Sequence, residues 1–164
     1  MNSFFVESTR NFLENQMRLD IEPAPDVNST HDWEKQFFEL INYAANKLER
    51  RREDLLLNVG EYMAQQIMEK MGVKKNTDLF KLLLKGEIAR KTQAYPTEGL
   101  DNLSVRTIKI SENRVEVIYR SERNIPDFAV GSIIGTAKWC NQPLIRCEHS
   151  PLADGSHLII CEIP

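Results

Sequence analysis

Cysteine is scarce in this chain. Three residues, Cys140, Cys147 and Cys161, in a sequence of 164 are too few, and of the wrong parity, for a disulfide framework. Long hydrophobic runs are missing as well. No stretch approaches the ~18 apolar residues that a membrane span needs, and the N-terminus lacks a charged-then-apolar leader pattern. The expectation is a soluble, cytoplasmic protein with no membrane insertion. Charge of one sign is also lacking: 21 basic residues face 24 acidic ones, for a net charge of −3. The densest basic run, Arg50-Arg51-Arg52, is enclosed by Glu49, Glu53 and Asp54, which reads as a solvated surface and argues against a nucleic-acid partner. No internal repeat is visible.

What is present is an ordinary globular composition, 41% hydrophobic and 27% charged, at a length that fits one core. Residues 3–19 suit a short amphipathic helix. The loop "DIEPAPDVNST" (20–30), broken by Pro23 and Pro25, isolates it as an N-terminal arm, 1–30, or a partner-binding helix. From Trp33 the period is helical, with Phe37, Phe38, Leu40, Ile41 and Ala44 on helical spacings and Ser29, Thr30 or Asp32 available to cap. A second helix is predicted from about Asp54 to Lys70, stopped by Gly72. A third follows Asn76-Thr77-Asp78 and carries Leu79, Leu82, Leu83 and Ile88; Pro96 ends it.

After Pro96 the period changes to two. "LSVRTIKI" (103–110) and "RVEVIYRS" (114–121) read as strands joined by a short loop. "DFAVGSIIGTAKWC" then reads as a helix opened by Pro126-Asp127. Its Gly131 and Gly135 lie four apart, on one face, where they allow close approach of a backbone or sheet. "PLIRCEHS" and "SHLIICEI" read as two more strands, turned at Asp154-Gly155. The order is helices first (31–96), then β-β-α-β-β (97–164): an α+β domain, 31–164, with a helical N-terminal part packed on an α/β part that has an antiparallel sheet.

Chemistry-bearing residues are few. Cys140, Cys147, His149 and Cys161 offer soft ligands for zinc, but no CxxC or HxxxH pair holds an ion locally, and a buried thiol usually packs as a small hydrophobe. His31, His149 and His157 have no nucleophile beside them in sequence, and neither GxSxG nor a phosphate-binding loop occurs. Glu148 and Glu162 read as sheet-edge carboxylates. An enzymatic role is not expected.

One pattern stands out. Tyr119, Ser121 and Arg123 alternate in "EVIYRSERNIPDF" and, if the strand continues, share the face that carries Val115 and Val117. Either they cap the core, with Arg123 paired to a nearby acid, or they form an anion clamp. Arginine's planar fork beside two hydroxyls suits a carboxylate or phosphate.

Tyr119-x-Ser121-x-Arg123 resembles the YxSxR motif of the haem nitric-oxide/oxygen-binding (H-NOX) family, whose motif holds the haem propionates. "FAVGSIIGTAKW" resembles the helix after that motif, "AYP" (94–96) the Phe-Pro before the first long strand, and "LLLNVGEYM" the leucine-rich helix that leads to Gly60-Glu61-Tyr62. The resemblance covers roughly residues 35–163. The wider superfamily includes the vinyl-reductase-type ligand-binding domains and subunits of a vesicle-tethering complex; the clustered cysteines of the former have no counterpart in "HSPLADGSH".

The chain departs from the family's pattern at one position that matters. The residue that the resemblance places where the family's iron-ligating histidine stands is Ile88, and no histidine lies between His31 and His149. Isoleucine is no ligand, and neither Glu87 nor Lys91 is a common one for haem. The resemblance thus implies an H-NOX-like sensory or signalling domain, degenerate for haem, with haem not expected as a cofactor. The alternatives are a genuine haem-binding gas sensor with an unusual axial ligand and a non-catalytic interaction scaffold. The resemblance further implies that Tyr119, Ser121 and Arg123 hold the acidic end of a small ligand, with Met63, Ile67, Leu83 and Ile88 along its apolar part. Implied partners are a kinase, a cyclase, a chemoreceptor or a second copy of the chain.

Overall fold

The computed structural model describes residues 4–22, 32–91 and 103–164, with backbone alone for 86–91. The expectations placed on Pro23, Pro25, His31 and Ala94-Tyr95-Pro96, and on the side chain of Ile88, lie outside these residues.

Among the described residues, five α-helices and four strands follow the predicted order. They are α1 (Phe4–Asn11), α2 (Trp33–Leu48), α3 (Arg52–Lys70), α4 (Leu79–Lys91), β1 (Ser104–Lys109), β2 (Arg114–Arg120), α5 (Pro126–Trp139), β3 (Arg146–Pro151) and β4 (His157–Glu162). The fold is α+β. The helix ends form where local chemistry allows them. Asp32 accepts the backbone N–H groups of Glu34 and Lys35 and so caps α2. Asp78 accepts from Lys81 at the start of α4. Gly72 takes a left-handed φ of 64° just after α3, and Pro126 opens α5, where its missing N–H costs nothing.

The sheet is antiparallel throughout, in the order β1-β2-β4-β3. Along β2, Val115, Val117 and Tyr119 are buried while the residues between them are partly exposed. They pair with Cys161, Ile159 and His157 of β4. This face packs on α5 through Val130, Ile133 and Ala137. α5 is therefore the middle layer, with the sheet on one side and α3 on the other.

The contact between α3 and α5 is backbone on backbone. A Cβ added to Gly131 would lie 2.0 Å from the Leu57 carbonyl oxygen, one on Gly135 would lie 2.2 Å from that of Glu61, and one on Gly60 would lie 2.3 Å from that of Phe128. The open choice between a backbone and a sheet is decided in favour of a helix backbone. α3 contributes its own glycine in return, and Lys138 of α5 pairs with Glu61 of α3.

The expectation of a detached N-terminal helix is corrected. Val6 and, in the single π-turn that continues α1 (Phe12–Gln16), Leu13 are almost wholly buried with Leu40, Ile41, Leu55 and Val59 of α2 and α3. Ser8 donates to Gln66 of α3 at 2.8 Å. The apolar stripe of α1 is amphipathic because it covers the helical core, at ~25 cal/mol per Å² removed from water. No helix among the described residues is long and apolar enough to cross a membrane.

Candidate functional site

Only one of the three predicted clamp residues lies in the strand. β2 ends at Arg120, and Ser121 to Asn124 form a turn, closed by the Asn124 N–H donating to the Ser121 carbonyl at 3.1 Å. The expectation that Tyr119, Ser121 and Arg123 share a strand face is therefore corrected. The strand cannot continue because the Ser121 hydroxyl accepts the Arg123 backbone N–H at 3.2 Å, a local bond that competes with a ladder. Asn124 then turns left-handed, with φ of 49°.

The turn nonetheless brings the three together. Tyr119 is buried against the core. Burial pushes the tyrosine pKa up; the Ser121 side chain, the Ile125 backbone and the charge of Arg123 oppose the shift.

Arg123 already has a partner. Its Nη2 donates to Glu34 Oε2 at 3.1 Å, and its Nε lies 3.0 Å from Oε1 but off hydrogen-bonding geometry, so that contact is Coulombic. The Arg123 side chain is 16% exposed and that of Glu34 38%, so the pair sits at the rim. The guanidinium stacks over Trp33 at 5.1 Å. Behind Trp33 lies a cluster of rings from α1, α2 and α5. Phe5 is 5.2 Å from Trp33, 6.5 Å from Phe37 and 6.0 Å from Phe128, and Phe37 meets Phe128 edge-on at 6.0 Å.

Three of the residues expected along an apolar ligand lie among those whose side chains are described. Met63 is buried in the helical cluster, Leu83 packs with the cluster under the sheet, and Ile67 is half-buried on α3. Two clefts stand out among the described residues, and neither includes Tyr119, Ser121 or Arg123. One, of 580 Å³, lies between the end of α5 and the segment leading into β3; the other, of 220 Å³, lies between α1 and α3.

Sequence reasoning missed Glu34 and Trp33 as partners of Arg123. It also missed a polar chain beside the turn. His149 Nε2 lies 3.2 Å from Asp127 Oδ1, His149 Nδ1 lies 3.2 Å from His157 Nδ1, and His157 Nε2 lies 2.9 Å from Asn124 Oδ1. Burial and the neighbouring His149 lower the pKa of His157, and Asp127 opposes them. Of the four residues weighed for zinc, Cys147 and Cys161 adjoin each other. No group of three or more His, Cys, Asp or Glu among the described residues is placed to hold a metal ion.

A protein-family model described as haem-NO-binding matches residues 7–145. The chain belongs to the haem-NO-binding (H-NOX) family. Its fold is that of solved H-NOX domains. An H-NOX protein from S. oneidensis in the Fe(II) state, a triple variant, superposes with a TM-score of 0.78 at 14% identity over 100% of this chain and 96% of that one. The H-NOX domain from Shewanella oneidensis in the Fe(II)CO state gives 0.78 at 16%, over 100% and 99%. An Fe(II) unliganded H-NOX variant from K. algicida gives 0.78 at 16%, over 100% and 97%. A comparison with curated proteins finds no match.

The family's cofactor can be tested against the residues present. An axial haem ligand is typically His, Cys, Met or Tyr, and no histidine lies between His31 and His149. The fork of Arg123 is engaged by a carboxylate of the chain itself, and four aromatic rings pack behind it. These residues do not fit haem held in the family's manner.

Proposed function

We propose that this chain is a sensory or signalling module of the H-NOX family that works without haem and without catalysis. The observation that supports the reading is the Glu34–Arg123 pair, in which the protein's own carboxylate engages the arginine that the resemblance assigns to an acid. A small ligand with an acidic end and an apolar body would compete with Glu34 for Arg123. Displacing Glu34 would free the first turn of α2 from the β2–α5 turn. Because α5 is interlocked with α3 through Gly60, Gly131 and Gly135, the released motion is that of α2 against a rigid α3–α5–sheet unit. A ligand drives such a shift only by binding one arrangement better than the other. The output would pass to a signalling protein such as a kinase, cyclase or chemoreceptor, or to a second copy, in the cytoplasm.

The test uses decanoate, a carboxylate with an apolar tail, and reads Trp33 fluorescence. Releasing Arg123 from a pair worth about 1 kcal/mol raises affinity roughly fivefold, so E34A binds decanoate more tightly than wild type and R123A loses binding. Equal affinities in all three proteins would overturn the reading.

A second reading, haem held without a histidine from the chain, has one observation in its favour. A histidine-to-glycine variant of the Shewanella domain, described in the Fe(II)CO state, has the same fold, with a TM-score of 0.76 at 16% identity. A Soret titration separates the two.

A further inference from the structure

Cys147 and Cys161 occupy directly opposed positions on β3 and β4, and their sulfurs lie 3.8 Å apart. Both face α5, where the Cys147 sulfur lies 4.0 Å from the Val130 carbonyl oxygen. They differ in access. Cys161 is wholly buried, whereas Cys147 is half-buried and lines the 580 Å³ cleft beside Ile134, Ala137, Leu144 and Ile145. Cys140 is buried at the end of α5, outside this pair.

We propose that Cys147 and Cys161 form a reversible dithiol–disulfide site, oxidised by a peroxide that enters through this cleft. A disulfide needs sulfurs about 2.05 Å apart and Cα atoms about 4.4–6.8 Å apart. Opposed residues of antiparallel strands already meet the second condition, so side-chain rotation with a small strand adjustment closes the remaining gap.

The asymmetry assigns the roles. Cys161 is wholly buried while Cys147 lines the cleft, so Cys147 is the sulfur a peroxide reaches and the attacking one. Its thiolate attacks one peroxide oxygen and breaks the O–O bond. The sulfenic acid forms on Cys147, and the other oxygen leaves as water after taking a proton. The Cys161 sulfur then attacks the Cys147 sulfur and expels its hydroxyl, which leaves as a second water with the Cys161 proton. Two thiols lose two electrons in total, and one peroxide gains them. A dithiol reductant reverses the bond by exchange through the Cys147 sulfur, the one of the pair that lines the cleft. The bond would staple β3 to β4 beneath α5, so the redox state would reach the α3–α5 unit.

The experiment treats the purified full chain with equimolar hydrogen peroxide and maps its thiols by alkylation and peptide mass. The expected result is loss of two of the three thiols, a linked peptide joining Cys147 to Cys161, and full recovery with dithiothreitol. In C161A the expected product is a dimedone adduct on Cys147. The wild-type map needs no variant to fold. Three thiols surviving, oxidation confined to Cys140, or Cys147 linked only between chains would each overturn the proposal.

Discussion

Arg123 and Glu34, 89 positions apart in sequence, meet at 3.1 Å between Nη2 and Oε2. The pair joins the turn after β2 to the first turn of α2, two segments that otherwise belong to different layers. Because Arg123 also stacks on Trp33, the neighbour of Glu34 in sequence, one helix start supplies both the anion and the platform. A double-mutant cycle on urea unfolding, with E34A, R123A and the pair, is expected to give a coupling of about 1 kcal/mol, the upper end for a pair exposed at one side. Additive effects would mean that the contact contributes nothing to stability.

The Ser121 hydroxyl accepts the Arg123 backbone N–H at 3.2 Å and closes the turn after β2. S121A is expected to cost about 1 kcal/mol, since it removes the acceptor of the partly buried Arg123 N–H. The unfolding midpoint in urea reads this directly, and a change of only a few tenths would contradict it.

The glycines between α3 and α5 allow no side chain. G131A would force a Cβ into the Leu57 carbonyl and is expected to lower stability by about 2–3 kcal/mol or more. At Gly72 a Cβ meets nothing, but φ is left-handed, a conformation that asparagine tolerates. G72N should therefore cost much less. Similar thermal midpoints for the two variants would contradict the interlocked packing.

The histidine pair sets a pH dependence. The pKa of His157 is lowered in the folded state, by burial first and by His149 second, so as pH falls the unfolded chain takes up a proton before the folded one does. Stability from this group is fully present above the ordinary histidine pKa of about 6.5 and declines as pH drops below it. The groups facing it are His149, Asp127 and Asn124. Urea midpoints from pH 8 to pH 5.5 should fall, and H157N should flatten the fall. A midpoint that rises toward pH 5.5 would reverse the sign.

Much of this architecture is legible in sequence because it is local. Asp32, Gly72, Pro126 and Asp154-Gly155 mark the ends of helices and a turn by their own backbone chemistry, and the period of two in β2 continues to Tyr119. What was not legible depends on pairs distant in sequence. Nothing near Glu34 shows that it meets Arg123, and nothing in "GEYM" shows that Gly60 faces Phe128. Alternation alone carries the strand on through Ser121, because it cannot reveal a serine that bonds the backbone two residues ahead. The first helix read as an arm because the proline-containing loop hides the fact that its apolar stripe covers α2 and α3. The cysteines read as small hydrophobes, and their register against each other follows only from the strand pairing.

Whether this H-NOX chain holds haem in the family's way decides between a haem-free module and a gas sensor. The direct measurement is a Soret spectrum of the purified protein after expression with excess haem and gel filtration, in the reduced state and under carbon monoxide. A haem-free module shows no Soret band co-eluting with the protein. A band at one haem per chain that shifts on adding carbon monoxide would contradict it.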